Sequence, residues 1–390
     1  MSDRRRVAIT GLGTVSSNGT DLAEFWEWIC HADPAPIHTG VRGFDPRQFM
    51  GTKDVRRSDP FSQYGVAASH LALRDADLDP ADVPARRGAV VLANAYGAQT
   101  SLEFERDRMI AEGDITVSPF LSASSCEATA SAMVSIALGW RGPSRVIITA
   151  CAGGTHAVAE GTELIRSGRS DVVVAGGTMG PIPPVLMASY RNLRVLSPSG
   201  WIRPFDRRRD GFVFADGAAS LVLEPLDAAR ARGARIYAEV LGSGHTNDAA
   251  SLVSPSGLGA IECISDALDD AGLRPADIVH VNAHGTGTGM NDAREAEALL
   301  AVFGRPPPVT STKRVMGHGA GAAGAFEAAI VALSLHHGVL PSLGTDVEPD
   351  PALDLDLVVG PSQPWTPGPV LSNSFGLGGH NGCLVLGPPS

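Results

Sequence analysis

The sequence predicts an α/β protein. Apolar, β-branched runs alternate with segments of helical spacing along the whole chain, and the connections between them are short. Two runs end abruptly in small residues: Val146-Ile147-Ile148-Thr149 at Ala150-Cys151-Ala152-Gly153-Gly154, and Ile278–Ala283 at His284-Gly285-Thr286-Gly287-Thr288. The order strand, helix, strand ending at a reactive side chain, helix occurs in each half. It predicts an internal duplication joined near residues 225–240, with units over 1–232 and 233–390.

Taken in order, Val7–Thr10 reads as a strand running into a structural turn at Gly11-Leu12-Gly13. The G-x-G is incomplete as a dinucleotide fingerprint, because position 16 is Ser. Asp21–Ile29 has helical spacing, and residues 31–60, rich in Pro, Gly, Asp and Arg, read as surface loop. A helix over Gln63–Leu78 precedes the buried strand Gly88–Ala93, which ends at Asn94-Ala95-Tyr96-Gly97. Glu103–Ala111 is a charged helix, and Ser118-Pro119-Phe120 opens a loop into a helix over Ser125–Leu138. The Cys151 stretch then reads as strand, tight turn and helix. Strands follow at Asp171–Ala175, Ser220–Leu223 and Ile236–Leu241, with an Arg-rich loop at 203–212 and a short helix at Asp227–Arg232 between them. A helix over Leu258–Ala271 leads to the 278–283 strand. A helix over Ala293–Val302, a strand at Val309–Ser311, a glycine-rich turn and a helix over Ala322–His337 come next. A last strand pair surrounds Asn373-Ser374-Phe375-Gly376.

Length and composition narrow the function. A 390-residue chain with 44% hydrophobic and 19% charged residues has ordinary soluble composition. No apolar run approaches a membrane span, and Val7–Thr10 is too short for a signal-peptide core, so a cytoplasmic protein with no membrane role is expected. A net charge of −11 weighs against nucleic acid as a partner. Cysteines 30, 126, 151, 263 and 383 form no C-x-x-C pair, which argues against disulfides and a zinc site; no metal and no cofactor are expected. Of 31 basic residues only Lys53 and Lys313 are lysine, so each is a candidate for a role that needs an amine.

Cys151 at a helix N-terminus is expected to feel the macrodipole, which favours the thiolate and lowers its pKa. The bland alternative is a buried structural cysteine. His284 and His318 also sit in small-residue turns after apolar strands, where open α/β sheets place their sites. Either histidine alone reads better as a satisfied core or loop residue. Together with Cys151 they make a mechanism: the thiolate takes an acyl group as thioester, and two imidazoles hold the carbonyl of a second thioester as an enolate forms. Lys313 and Glu295 are expected to pair and fix those imidazoles. A rival reading is an NAD(P)-dependent oxidoreductase, since Gly319-Ala320-Gly321-Ala322-Ala323-Gly324 matches G-x-G-x-x-G with Asp346 and Glu348 about 20 residues on. His318 has no role in that reading.

Thr149-Ala150-Cys151, Asn282-Ala283-His284-Gly285-Thr286, Ser311-Thr312-Lys313 with Gly317-His318, and Asn373-Ser374-Phe375-Gly376-Leu377-Gly378-Gly379-His380-Asn381 together resemble a β-ketoacyl-acyl carrier protein synthase of the Cys-His-His branch. The likeness runs over nearly the whole chain. It implies a thiolase-like fold: duplicated βαβαβαββ halves in a five-layer αβαβα arrangement. It implies decarboxylative Claisen condensation, with Cys151 accepting the acyl chain and His284 and His318 acting on a malonyl thioester. The backbone N–H groups of Cys151 and Phe375 would form the oxyanion hole, with Phe375 also gating it and Lys313 and Glu295 orienting the site. Tyr96, Glu127, Thr286, Thr288, Gly376 and Leu377 would contact substrate. Lys53, Arg56, Arg57, Arg207, Arg208 and Arg209 match a basic surface for an acidic acyl carrier protein. The implied assembly is a homodimer, or a heterodimer with a chain-length-factor subunit. Departures from the family pattern are the ring of Tyr96 at the mouth of the acyl pocket, Glu127 on a pocket-lining segment and Leu377 in place of a usual Phe. They point to polyketide or specialised fatty-acid biosynthesis and to a short or rigid acyl group. An acyltransferase or hydrolase that does not elongate is the alternative on the same fold.

Overall fold

The computed structural model describes residues 4–31 and 35–390; Met1-Ser2-Asp3 and residues 32–34 of the predicted 31–60 loop lie outside the described residues. The first half contributes strands β1 (Val7–Val15), β2 (Gly88–Ala93), β3 (Ser144–Ile147), β4 (Val172–Met179) and β5 (Gly217–Pro225). The second contributes β6 (Ala238–Asn247), β7 (His280–Asn282), β8 (Val309–Thr310), β9 (Val339–Leu340), β10 (Gln363–Pro364), β11 (Val370–Gly376) and β12 (His380–Gly387). Helices of the first half are α1 (Leu22–His31), α2 (Thr52–Val55), α3 (Pro60–Asp75), α4 (Gln99–Glu112), α5 (Leu121–Ser124), α6 (Thr129–Leu138), α7 (Gly153–Arg166), α8 (Pro184–Asn192) and α9 (Leu226–Ala231). Those of the second are α10 (Leu258–Ala271), α11 (Gly289–Phe303), α12 (Lys313–Met316) and α13 (Ala323–His337).

Among the described residues ten strands form one sheet in the order β3-β2-β4-β5-β1-β6-β12-β11-β7-β8. Counted within each half, and leaving out the short β9–β10 pair, both halves run 3-2-4-5-1 from the outer edge inward. They meet where Val7–Ile9 pairs antiparallel with Ala238–Val240. The duplication read from the sequence is therefore present as topology. Helices α7 and α13 pack on each other between the two halves of the sheet, α3 and α6 cover the far side of the first half, and α10 with α11 cover that of the second. This is the five-layer thiolase-like arrangement. Residues 323–335 of α13 are all buried, the mark of a helix enclosed on every side.

The G-x-G at residues 11–13 is not a turn. β1 runs straight through it with a bulge between Ile9 and Gly11. The glycines are needed because α3 lies against the strand: a Cβ at Gly11 would sit 2.2 Å from the Ala72 carbonyl oxygen, and one at Gly13 2.1 Å from that of Ala68. Gly244 stands in the same relation to α10, with the Cys263 oxygen 2.0 Å from where its Cβ would be. Each half thus uses glycine on its first strand to admit a helix closely. Helix α8 has no counterpart in the sequence reading, and it carries a residue that matters below.

Candidate active site

β3 delivers the chain to a 3-10 turn over Ala150–Ala152, and α7 begins at Gly153, so Cys151 stands at the junction of strand and helix as expected. Ala150 has φ +48°, a left-handed conformation that costs about 1 kcal/mol for a residue with a side chain. Such strain is held in place by the packing on both sides and aims the next side chain out of the sheet. The expected depression of the thiol pKa does not occur. Burial pushes the Cys151 thiol up to about 11, outweighing the Lys313 charge and the N–H groups of Leu377 and of Cys151 itself. Lost hydration exceeds what the helix terminus returns. A thiol at rest needs a base, and His318 Nε2 lies 3.1 Å from Sγ.

His318 and His284 sit at the ends of segments that leave the second half of the sheet. Both are 1% exposed, and their rings lie 5.5 Å apart, edge to face. Donor atoms of Cys151, His284 and His318 all fall within 4.8 Å of one another. Burial, reinforced by Lys313 and for His284 also by His318, drives both imidazoles far below their usual pKa, so both are neutral at physiological pH. Lys313 Nζ donates to the His284 carbonyl (2.6 Å) and reaches its Nδ1 at 3.3 Å. An ammonium has no acceptor, so His284 Nδ1 must accept and its Nε2 must carry the proton toward the cavity.

Lys313 does not pair with Glu295. Its ionic partner is Glu327 in the first turns of α13, both side chains being 1% exposed. Burial lifts Glu327 above the usual carboxylate range, with Lys313 opposing. Glu295, on α11, instead accepts from the backbone N–H of His284 and of Gly285, each at 2.8 Å, and from Asn373 Nδ2 at 3.2 Å. It holds the His284 loop by its backbone while Lys313 holds the ring.

A cavity of about 270 Å³ opens beside the Cys151 sulfur, with both histidines and Phe375 in its wall. Tyr96, Thr286, Thr288, Gly376 and Leu377 line it. Glu127 does not. It is half-exposed, because the segment before α6 passes outside the Asn94–Gly97 turn, where Asn94 Nδ2 donates to the Glu127 carbonyl at 2.8 Å. The backbone N–H that joins that of Cys151 at the sulfur belongs to Leu377, not to Phe375. The 3-10 turn over Leu377–Gly379 carries it there, while Phe375 is still paired with Asn381 in the β11–β12 ladder. Tyr190 of α8 also lines the cavity and was not singled out in the sequence; its hydroxyl pairs with that of Tyr96. Phe212 and Phe214 flank His318, with ring centroids at 5.1 and 6.0 Å.

The two basic stretches differ. Lys53, Arg56 and Arg57 are exposed on and just after α2, with the Arg57 guanidinium 4.1 Å over the Phe120 ring. Arg207 and Arg208 are exposed as well, but each of the three arginines of the second stretch faces a carboxylate. Arg207 pairs with Glu348, Arg208 with Asp206 and Glu348 (each 2.8 Å), and Arg209 with Asp350 (2.7 Å). They tie the 203–212 loop to the 346–350 loop.

The dinucleotide reading fails on space. A Cβ at Gly321 would meet the Asn94 carbonyl carbon at 2.6 Å, and one at Gly324 would meet Thr155 Oγ1 at 2.2 Å. Protein fills the place a pyrophosphate would need: Gly324 admits α7 against α13, and Gly321 admits the Asn94–Ala95 backbone after β2. Among the described residues no helix is long and apolar enough to cross a membrane.

A thiol at a strained strand-to-helix junction, facing two neutral imidazoles inside a duplicated five-layer fold, defines an acyl-transferring condensing enzyme of the thiolase-like class. Residues 32–229 match the N-terminal domain of beta-ketoacyl synthase and residues 237–344 its C-terminal domain. The chain belongs to the beta-ketoacyl synthase family. It is 37% identical, over an alignment of 409 residues covering 99% of both chains, to the 3-oxoacyl-[acyl-carrier-protein] synthase 2 of Staphylococcus aureus (strain N315). Among solved structures it resembles the ishigamide ketosynthase/chain length factor, with TM-score 0.94, 33% identity and 99% of both chains covered. It also resembles AntDE:AntF, a type II PKS acyl-carrier protein in complex with its ketosynthase bound to the hexaketide (TM-score 0.90, 27% identity, covering 99% of this chain and 100% of that one).

Proposed function

We propose that this ketosynthase lengthens an acyl group held on Cys151 by two carbons taken from a malonyl thioester, both delivered by an acyl carrier protein. His318 Nε2 takes the Cys151 proton as sulfur attacks the acyl thioester, and the carrier thiolate leaves with that proton. The malonyl thioester then places its carbonyl oxygen between the two neutral imidazoles. The C–COO⁻ bond breaks, CO2 leaves, and the electron pair is held as an enolate by the Nε2–H of His284 and by His318, which, once the sulfur is acylated, turns to its Nε2-protonated tautomer. Its carbon attacks the acyl carbonyl on Cys151, whose oxyanion rests on the N–H groups of Cys151 and Leu377. Collapse expels the Cys151 thiolate, which regains a proton from water, and leaves the β-ketoacyl chain on the carrier. Phe375, 6.0 Å from the His284 ring, guards the passage between the two half-reactions. No metal or cofactor enters these steps.

The observation that carries this reading is the contact of His318 with Cys151 at 3.1 Å, with a second neutral imidazole in the same cavity. The exposed Lys53–Arg57 stretch is the surface for the acidic carrier. The likeness to AntDE:AntF, an acyl-carrier protein in complex with its ketosynthase, supports that partner, and the likeness to the ishigamide ketosynthase/chain length factor supports assembly with a chain-length-factor subunit. The units 1–232 and 233–390 are read as the two halves of one catalytic body, working in the cytoplasm in polyketide or specialised fatty-acid synthesis. Incubation with malonyl-carrier and a panel of acyl-carriers, with products identified by mass, tests this. The expected products are β-keto chains two carbons longer; acyl transfer or hydrolysis without elongation would contradict the reading.

A further inference from the structure

The wall of the cavity holds a feature that acyl transfer to Cys151 does not use. Tyr96, in the turn after β2, and Tyr190, on α8, are far apart in the chain, yet their hydroxyls meet at the cavity wall. Their rings stand edge to face at 6.5 Å, and the Tyr190 ring packs against Phe214 at 4.9 Å, in the aromatic cluster that flanks His318. The phenols are therefore held by packing beside the acyl site. When two hydroxyls bond to each other, one proton lies between the oxygens and the other is left to donate elsewhere. Among the described residues that second O–H has no acceptor. Burial raises the pKa of both phenols, so neither proton is lost at neutral pH.

A spare donor in a wall otherwise rich in aromatic and aliphatic side chains discriminates between acyl groups. A saturated chain that fills the cavity strips water from the donor and returns nothing. A chain bearing an oxygen there satisfies it. Sites built with such a donor reject the analogue that lacks the partner, because a buried polar group is left unpaired. We infer, on the condensing-enzyme reading above, that Tyr96 and Tyr190 form a specificity element that hydrogen-bonds an oxygen carried on the acyl chain, so that this ketosynthase prefers oxo-acyl groups to hydrocarbon chains of equal length.

The test is single-turnover acylation of Cys151, followed by intact mass, with hexanoyl, 3-oxohexanoyl and 5-oxohexanoyl thioesters on one carrier. At least one oxo-acyl group should load about tenfold faster than hexanoyl, the rate equivalent of one net hydrogen bond. Tyr96→Phe/Tyr190→Phe, which keeps both rings and removes both donors, should bring that ratio close to one. Equal or faster loading of hexanoyl by the wild-type protein would overturn the assignment, without any variant having to fold. So would an oxo-acyl preference that survives in the double variant. Failure of every thioester to acylate a Cys151 that still reacts with iodoacetamide would instead strike the condensing-enzyme reading, and the phenol assignment with it.

Discussion

Replacing Lys313 by Met separates what the buried ion pair does for stability from what it does for chemistry. The ammonium is buried between Glu327 and His284, giving one ionic contact, one bond to a carbonyl and one to an imidazole nitrogen. Methionine keeps the length of the side chain and removes all three. Glu327 is left in the core with Ser374 Oγ, at 3.4 Å, as its remaining side-chain donor. Removing one partner of a buried pair costs about 3–5 kcal/mol, so Lys313→Met should lose that much unfolding free energy in urea. A Lys313→Met/Glu327→Leu protein removes the stranded carboxylate and should recover most of the loss, since a buried pair replaced by apolar side chains is close to neutral. Activity should not recover. Without Lys313, nothing fixes the His284 tautomer, and one of two donors to the enolate is misdirected. Such a loss is worth roughly 10²–10³-fold in rate. The assay is CO2 release from malonyl-carrier beside acylation of Cys151: the first should fall in both variants and the second should fall less. Decarboxylation within about threefold of wild type in Lys313→Met, or joint recovery of stability and decarboxylation in the double variant, would refute the tautomer argument.

Other consequences follow from the same geometry. Cys151→Ala should abolish the acyl adduct and condensation yet still release CO2 from malonyl-carrier, because both imidazoles remain; mass spectrometry and CO2 release check it. Burial lifts Glu295 from the ordinary 4.5 to about 7, so the folded state keeps a proton that the unfolded chain has lost. That contribution is complete below pH 4.5 and is lost as pH rises through 7. Wild-type unfolding free energy should carry a fall across this window, on the order of 3 kcal/mol, that Glu295→Gln shrinks; equal slopes would remove the claim. Lys53→Glu/Arg57→Glu should raise KM for carrier-borne substrate several-fold, and less so at high salt. Arg207→Glu should raise KM less than this double variant does, since the Arg207 guanidinium already faces Glu348. In a chain-length series the protein should favour short or rigid acyl groups, and a preference for C12–C14 saturated chains would contradict the crowding of the cavity by Tyr96 and Tyr190.

What was legible in the sequence and what was not divide along a physical line. Cys151 and His284 follow β-branched runs and have glycine within two residues after them, and His318 sits between Gly317 and Gly319 in the turn after the 309–311 run, a local pattern that marks strand ends where sheets place reactive groups. Their convergence needed only that the halves repeat. Partner choice was not local. Glu295 and Glu327 are both acidic residues near a histidine motif, and only the burial of α13 against α7 brings Glu327 to Lys313. Gly11 and Gly13 looked like a turn because glycine most often marks one; their cause is a helix arriving from residues 60–75. Arg207–Arg209 looked free because their carboxylate partners, Glu348 and Asp350, lie far along the chain. The thiol's pKa went the other way because helix polarity can be read from order, whereas desolvation depends on the closed shape of the cavity. Tyr190 left no signal, being one ring on a helix of mixed composition.

The most direct measurement follows the acyl–Cys151 adduct and labelled CO2 together, in one turnover, after malonyl-carrier labelled in its free carboxyl group is added to the preloaded protein. The adduct should disappear at the rate at which CO2 appears, one for one, with a β-ketoacyl chain on the carrier. Adduct lost to water as free acid, with the labelled carboxyl still on malonyl, would contradict the joint action of the sulfur and the two imidazoles.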